Sequence, residues 1–243
     1  MSGPSNGLSN GPARAKARLI AVRERIARAA ARVGRDPAEV GLVAVSKTVP
    51  AAGVLELAAA GQESFGENRI QEARDKVPRV SGGWNGPPLT WRLVGHLQRN
   101  KVKPAVELFD WIDSVDSVRL LEALDGEGAR RGAPVRVLLQ VNCSGEEAKS
   151  GFDPRGMAEV SERLGNLRFV QVAGFMTIGP LDPDPESARP AFRRLRAIRD
   201  EVAGRTGLAL PELSMGMSGD LEIGIEEGAT LVRVGTALFG ERG

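Results

Sequence analysis

The feature that most constrains the fold of this chain is a regular alternation of short apolar runs with longer amphipathic segments. Runs of strand length, such as "VRVLLQVN", are predicted near residues 42–47, 63–66, 89–94, 109–114, 135–142, 168–176, 212–215 and 230–234. Helices are predicted between them, over residues 51–60, 68–77, 98–107, 116–131, 153–165, 186–205 and 219–227. Eight strands that alternate with helices in about 200 residues predict an α/β fold, a single (β/α)8 TIM barrel, with an open doubly wound sheet as the main alternative.

The segment before the first strand divides into a tail and a helix. Residues 1–12 are mostly Gly, Ser, Asn and Pro, which predicts a disordered tail. From Ala13 to Val33, apolar residues recur at helical spacing among many arginines, so we expect an amphipathic helix with a solvated basic face. The apolar stripe consists of Leu19, Val22, Ile26, Ala29 and Val33. We therefore expect a tail over 1–12 and one barrel domain over 13–243 that carries this extra N-terminal helix.

The composition disfavours several functional classes. The 243 residues carry a formal net charge of +2, and aromatic residues make up 4%, which argues against a nucleic-acid partner. No apolar run approaches the roughly 20 residues of a membrane span, and the N-terminus lacks the apolar core of a signal peptide. Cys143 is the single cysteine, so no internal disulfide can form, and a cytoplasmic location is expected. The cysteine and the single histidine show no metal-site spacing.

In a barrel of this kind the functional residues follow the C-terminal ends of the strands, and the first strand runs directly into Lys47. One interpretation is structural: the side-chain stem packs against the protein while the ammonium reaches water. The other is a partly desolvated amine, which in its neutral form attacks a carbonyl and forms a Schiff base.

The loops after the last two strands, "SMGMSG" and "RVGTA", are rich in glycine and hydroxyl side chains. Glycine allows a ligand to approach the backbone closely, and the amide groups of these loops can bind an anion such as a phosphate. The residues concerned are Gly216, Met217, Ser218, Gly219, Gly235 and Thr236. Ordinary turn and capping chemistry is the alternative for either loop alone. Together with Lys47, a phosphate site describes pyridoxal 5′-phosphate (PLP) or a Schiff-base aldolase that acts on sugar phosphates.

Arg233 lies within the apolar strand "LVRVG" and needs a partner, because burial of an unpaired guanidinium is costly. A pyridine nitrogen is one acceptor. Arginine hardly gives up its proton, so such a ring would stay unprotonated and would be a poor electron sink. A salt bridge to a nearby carboxylate is the alternative.

Other polar residues are predicted to be structural. We interpret Asp110, Asp113 and Asp116 as helix caps or surface groups, and Cys143 as a small apolar filler. His96 is interpreted as a structural or ligand-rim residue. The segment "GEEAKSG", which contains Lys149, lacks the glycine that precedes the lysine of a P-loop, so nucleotide binding is not expected.

Five segments of the chain resemble the pyridoxal phosphate homeostasis protein family, whose members are single-domain relatives of the alanine racemase N-terminal barrel. They are "AVSKTVP", "FGENRIQEA", "WRLVGHLQRNK", "GFMTIGP" and "LSMGMSGDLEIGIEEGATLVRVGTALFGER". The resemblance covers roughly residues 15–242 and implies a (β/α)8 barrel that holds PLP through a Schiff base to Lys47. By position it also implies cofactor binding by Asn68, Gly216, Met217, Ser218, Arg233, Gly235 and Thr236. Arg69 departs from the aromatic residue that often follows the "GEN" motif.

The resemblance implies a role in PLP supply, by storage or delivery of the cofactor, and in amino- and keto-acid balance, without an assigned reaction. Apo PLP-dependent enzymes are the expected partners, and neither nucleic acid nor a membrane is. A PLP-dependent racemase is the alternative. It is disfavoured because a two-base racemase needs a tyrosine opposite the lysine, and the chain has none. The chain also ends soon after the eighth strand, where a racemase continues into a second domain, so a monomer without catalytic residues is expected.

Overall fold

The computed structural model describes residues 11–146 and 150–240. In these residues the eight predicted strands form one closed parallel barrel in chain order, in which β8 pairs with β1. The strands are β1 Gly41–Val45, β2 Ser64–Glu67, β3 Thr90–Leu93, β4 Trp111–Val115, β5 Val135–Gln140, β6 Val170–Met176, β7 Glu212–Ser214 and β8 Leu231–Val234. The barrel prediction is confirmed, and the open sheet is wrong because the β1–β8 pairing leaves no edge strand.

Helices cover the outside of the barrel. They are α1 Gly11–Arg32, α2 Ala51–Ala59, α3 Ile70–Gly83, α4 Val102–Leu108, α5 Val118–Arg131, α6 Met157–Leu164, α7 Arg189–Thr206, α8 Leu221–Glu226 and α9 Thr236–Phe239. The prediction ended the third helix at residue 77, but α3 continues through Pro78. Its extra turn buries Val80 completely, which offsets the backbone hydrogen bond that proline cannot make.

The predicted apolar stripe of α1 is buried from Leu19 to Ala29, whereas Val33 lies beyond the helix and is 42% exposed. The helix begins two residues inside the predicted tail, and residues 1–10 lie outside the described part of the chain. The prediction of a wholly solvated basic face is wrong for Arg25. Its guanidinium makes a two-point ion pair with Glu222 of α8, with N–O distances of 2.7 and 2.8 Å.

The barrel interior contains charged side chains. In β3, β4 and β8 the neighbours of Arg92, Asp113 and Arg233 along the strand pack into the apolar layer beneath the helices. Successive side chains of a strand point to opposite faces, so these three residues point inward. All three are buried. The interior is therefore partly polar beneath the mouth at the carboxyl ends of the strands.

Candidate functional site

The residues predicted to bind a cofactor fall on one side of the barrel mouth. Lys47 follows β1 and Asn68 follows β2, while the two glycine-rich loops follow β7 and β8. Because β7, β8, β1 and β2 are consecutive neighbours in the closed barrel, these four loops are contiguous. We call them the mouth sector. The structure thus brings together residues that are up to 189 positions apart in the sequence, from Lys47 to Thr236.

Lys47 lies in a turn in which the amide of Val49 donates to the carbonyl of Ser46 at 3.0 Å. Its side chain is exposed. This exposure agrees with the interpretation in which the ammonium reaches water, and not with that of a partly desolvated amine. The reason is local: the strand ends at Val45, and Lys47 already lies in the loop above the apolar layer.

An ionic cluster lies beneath this turn and consists of Ser46, Glu67, Glu72 and Lys76; we call it the Lys76 cluster. Its members are buried except for Glu72, whose side chain is 26% exposed. The Lys76 ammonium donates to the Ser46 carbonyl at 2.6 Å, to Glu67 Oε1 at 2.7 Å and to Glu72 Oε1 at 2.6 Å. The Ser46 hydroxyl also donates to Glu67 Oε1, at 2.6 Å. Burial is the largest influence on the pKa of Glu67 and raises it, although the hydrogen bonds from Lys76 and Ser46 act in the opposite direction.

Sequence reasoning did not identify the Lys76 cluster. One signal was available, because Glu72 and Lys76 are spaced i, i+4 on a predicted helix and so share a face. The approach of that face to the end of β1 depends on how α3 packs, which the local pattern does not contain.

Asn68 and His96 lie on neighbouring loops. The backbone of Asn68 packs so closely on Gly95 that a Cβ at Gly95 would lie 2.2 Å from the Asn68 carbonyl oxygen. His96 is exposed, and its Nδ1 lies 3.0 Å from a carboxylate oxygen of Asp116. The interpretation of His96 as a rim residue agrees with this position. Asp116 pairs with it instead of capping a helix.

Arg233 is buried inside the barrel and donates to neutral groups. Nη1 donates to the Ser214 hydroxyl at 2.7 Å, and Nη2 donates to the Thr177 carbonyl at 2.8 Å. Burial lowers the pKa of Arg233 to about 10, while the charges of Asp113 and Asp220 act in the opposite direction. At neutral pH the guanidinium remains a donor. Its hydrogen-bonded partners in the described residues are a hydroxyl and a carbonyl, not the carboxylate of the alternative interpretation.

The prediction that Asp113 is a cap or surface group is wrong. Its side chain is 0% exposed, and Oδ2 accepts a hydrogen bond from Arg92 Nε at 2.7 Å. The Arg92 guanidinium also lies over the Trp111 ring, 4.4 Å from its centre. Asp113 occupies an inward-facing position of β4, so it meets a residue of the neighbouring strand that lies 21 positions away in the sequence. Asp110, in contrast, does cap a backbone group, because it accepts from the Trp91 amide at 2.8 Å.

The loop after β7 has the shape that the glycines predict, but one of its amides is occupied. Gly216 has φ +94°, which favours glycine, and a Cβ there would lie 3.1 Å from the Leu221 Cα. The Met217 amide, expected to point toward an anion, donates to Asp220 Oδ1 at 2.6 Å. The Ser218 carbonyl accepts from Arg25 Nη2 at 3.0 Å, which ties this loop to α1.

After β8, Gly235 is half-buried, and Thr236 is exposed at the start of α9. The backbone amide of Arg233 donates to the Gly216 carbonyl at 2.9 Å, so the two glycine-rich loops are joined at their base. Gly219 is exposed on the first loop. The predicted phosphate-binding residues therefore form two adjoining loops of the mouth sector.

Cys143 is buried, in agreement with its interpretation as a filler, and burial raises the pKa of its thiol from 9.0 to about 11. The thiolate is the reactive form, so at pH 8 we expect alkylation about 100-fold slower than that of a free cysteine peptide. Mass spectrometry after timed iodoacetamide treatment of the native protein measures this rate. Labelling at the peptide's rate would contradict the burial, and urea-unfolded protein serves as the control.

Lys149, whose role the sequence leaves open, lies outside the described residues.

Within residues 11–146 and 150–240, no group of three or more His, Cys, Asp or Glu side chains is arranged to hold a metal ion. In the same residues, no helix combines the length and the apolar character needed to cross a bilayer.

The model of the alanine racemase N-terminal domain family matches residues 18–243 of this chain. A pyridoxal phosphate homeostasis protein of Pseudomonas aeruginosa is 44% identical over 224 residues, which are 92% of this chain and 94% of the relative. A protein of the same name from Aquifex aeolicus is 42% identical, covering 93% of this chain and 97% of its own length. The chain belongs to the pyridoxal phosphate homeostasis protein family.

Among solved structures, PipY of Synechococcus elongatus with PLP bound is 41% identical to this chain. It superimposes with a TM-score of 0.81, covering 93% of this chain and all of PipY. An unknown protein from Bifidobacterium adolescentis is 35% identical, with a TM-score of 0.89 and coverage of 97% of this chain and 98% of that one.

Proposed function

We propose that this protein binds PLP in the mouth sector through a Schiff base to Lys47 and serves PLP homeostasis by storing or delivering the cofactor. The observation that carries the proposal is the contiguity of Lys47, Asn68 and the two glycine-rich loops at one side of the barrel mouth. The PLP-bound structure of PipY, which is similar over nearly the whole chain, supports it. Many enzymes of amino-acid metabolism use PLP, so control of its supply would also affect the balance of amino and keto acids.

The residues of the mouth sector fit the chemical groups of PLP. The cofactor supplies an aldehyde, to which a primary amine adds with loss of water. Lys47 provides that amine from an exposed turn, and the cleft at Gly216 lacks the Cβ that would meet Leu221. We propose that Gly216, Met217, Ser218, Gly235 and Thr236 hold the phosphate. The Met217 amide must then leave Asp220, whose carboxylate would repel a phosphate at that position.

We propose that Asn68 lines the ring and that Arg233 faces the pyridine nitrogen. The guanidinium, with a pKa of about 10, stays protonated at neutral pH and does not pass its proton to the ring. Such a ring stabilises a carbanion poorly. Together with the absence of tyrosine from the sequence, this supports a non-catalytic carrier over the racemase alternative.

We expect the PLP-loaded protein to show no appreciable racemisation of alanine. A coupled assay with D-amino acid oxidase measures the product, and a bacterial alanine racemase is the positive control. Turnover in the ordinary enzymatic range, roughly 1–10³ per second, would contradict the carrier proposal and favour the racemase.

Loss of a hydroxyl from either glycine-rich loop should weaken retention of the cofactor. Ser218→Ala and Thr236→Val are each expected to cost about 1–2 kcal/mol of binding free energy, the scale of a hydrogen bond to a charged group. Equilibrium dialysis of PLP measures the change. Ser161→Ala and Thr206→Val are the matched controls, because their hydroxyls donate to carbonyls within α6 and α7. Unchanged retention in both loop variants would mean that the phosphate binds elsewhere.

We further propose that the protein acts as a monomer and passes PLP to apo enzymes, without nucleic acid or a membrane as a partner. In the described residues, the exposed large apolar side chains are Ile20, Val33, Leu181 and Leu208, which lie in separate segments. The single cysteine supports a cytoplasmic location.

Incubation of the loaded protein with an apo PLP enzyme, with and without a trap for free PLP, tests delivery. Activation that survives the trap is expected, and its loss would contradict direct transfer.

A further inference from the structure

We propose that Lys76 is a positioning residue that fixes the turn carrying Lys47 and so directs the Lys47 amine into the mouth sector. The role of Lys47 in this inference rests on the proposed function, whereas the role of Lys76 is argued from its own hydrogen bonds. Lys76 belongs to α3, which follows β2, whereas Lys47 follows β1. Their link therefore arises in the folded barrel, between two neighbouring crossovers.

The contacts of Lys76 account for its whole hydrogen-bonding capacity. An ammonium has three N–H donors, and Lys76 makes three short hydrogen bonds, to the Ser46 carbonyl, Glu67 Oε1 and Glu72 Oε1. The residue is 6% exposed, and Glu67 is fully buried. A charge held this way in a buried site has a fixed position, so its partners are fixed as well.

One of these contacts, together with a hydrogen bond from the Thr48 amide to Glu72, holds the backbone on either side of Lys47. The Ser46 carbonyl, just before Lys47, binds the Lys76 ammonium directly at 2.6 Å. The Thr48 amide, just after Lys47, donates to Glu72 Oε1 at 2.5 Å, the oxygen that also accepts from Lys76. The peptide groups on both sides of Lys47 are therefore linked to the Lys76 ammonium, one directly and the other through the Glu72 carboxylate.

The turn has a conformation that needs such support. Thr48 has φ +61°, and it is the one non-glycine residue with positive φ in the described part of the chain. Threonine is β-branched and strongly disfavours this region, so its surroundings must impose the conformation. The Glu72 carboxylate supplies an acceptor for the Thr48 amide in this strained geometry. Because the direction of the Lys47 Cα–Cβ bond depends on the same turn, release of Thr48 would redirect the Lys47 side chain.

A purely structural ion pair would not explain this arrangement. A buried ion pair contributes little net stability, and apolar residues of similar volume often replace such a pair without loss. The Lys76 cluster instead binds two backbone groups of the strained turn, the Ser46 carbonyl and the Thr48 amide. We therefore expect its loss to affect Lys47 chemistry more than folding.

Two variants test the proposal, with a matched control. Lys76→Met keeps the volume and removes the charge. Glu72→Ala leaves the buried Lys76–Glu67 pair intact and removes the acceptor of the Thr48 amide. Lys103→Met is the control, because Lys103 is exposed on α4. Hydrogen exchange of the cofactor-free proteins reports on residues 46–49. Stopped-flow absorbance reports the rate of Schiff-base formation with PLP, and dialysis reports binding of pyridoxamine 5′-phosphate, which has no aldehyde.

We expect Glu72→Ala to stay folded, to exchange amide hydrogens faster at residues 46–49, and to form the Schiff base about 10- to 100-fold more slowly. Lys76→Met should show the same changes with a larger loss of stability, because it leaves the buried Glu67 without its cation. Binding of pyridoxamine 5′-phosphate by both variants should match that of the wild type and of Lys103→Met. Wild-type exchange and wild-type Schiff-base rates in Glu72→Ala would overturn the positioning role, even if Lys76→Met failed to fold. If the wild type formed no Schiff base at all, the proposed function would fail, while the exchange data would still decide whether Lys76 holds the turn.

Discussion

Lys47→Ala is expected to abolish the Schiff-base absorption band of the PLP-loaded protein and leave only the absorption of the free aldehyde, because this substitution removes the amine that we propose forms the Schiff base. The phosphate contacts of the two glycine-rich loops do not involve Lys47, so noncovalent binding should persist at reduced affinity. Lys47→Arg should behave like Lys47→Ala, since a guanidinium keeps its proton and does not add to an aldehyde. Absorption spectra before and after exhaustive dialysis measure both effects.

The matched control is Lys103→Ala, which removes an exposed lysine from α4, outside the mouth sector. It should leave the band unchanged. A Lys47→Ala protein that kept the Schiff-base band would show that another amine forms the Schiff base and would contradict the assignment to Lys47.

Asp113→Leu should strongly destabilise the barrel. It leaves Arg92, which is 4% exposed, as a buried charge without its partner. Breaking a buried pair in this way costs about 3–5 kcal/mol of unfolding free energy. Urea denaturation followed by circular dichroism measures the loss. A cost below about 1 kcal/mol, the scale of a surface pair, would mean that water reaches Arg92.

The double variant Arg92→Met, Asp113→Leu distinguishes two quantities: the net contribution of the ion pair to the free energy of unfolding, and the penalty for leaving Arg92 without a partner. Among the described residues, one nitrogen of Arg92 and one oxygen of Asp113 are buried and find no hydrogen-bond partner, so the pair is incompletely satisfied. Apolar side chains of similar volume should then restore stability to the wild-type level or above it. A double variant as unstable as Asp113→Leu alone would show that the pair itself stabilises the barrel.

The strands were predictable because each is an apolar run bounded by polar or glycine-rich residues. The same reasoning located Lys47, Asn68 and both glycine-rich loops at strand ends, and the barrel topology then makes them neighbours. It failed at Pro78, where the burial of Val80 outweighs the local preference of proline to end a helix.

The sequence does not reveal contacts that depend on packing between elements. Asp113 was grouped with Asp110 and Asp116 by its spacing, yet the alternation of side chains in β4 turns it inward, toward Arg92. In the sequence Lys76 is indistinguishable from an ordinary helix residue, because its contact with Ser46 forms only when α3 packs against the end of β1. The sequence also left two interpretations of Lys47 open, because the exposure of its side chain depends on where β1 ends.

Mapping the covalent adduct tests the assignment of Lys47 most directly. Borohydride reduces a Schiff base to a stable secondary amine, so treatment of the PLP-loaded protein followed by proteolysis and tandem mass spectrometry identifies the modified lysine. We predict one predominant phosphopyridoxyl adduct, at Lys47. A loaded and reduced protein whose adduct lies at another lysine, with Lys47 recovered unmodified, would contradict the account.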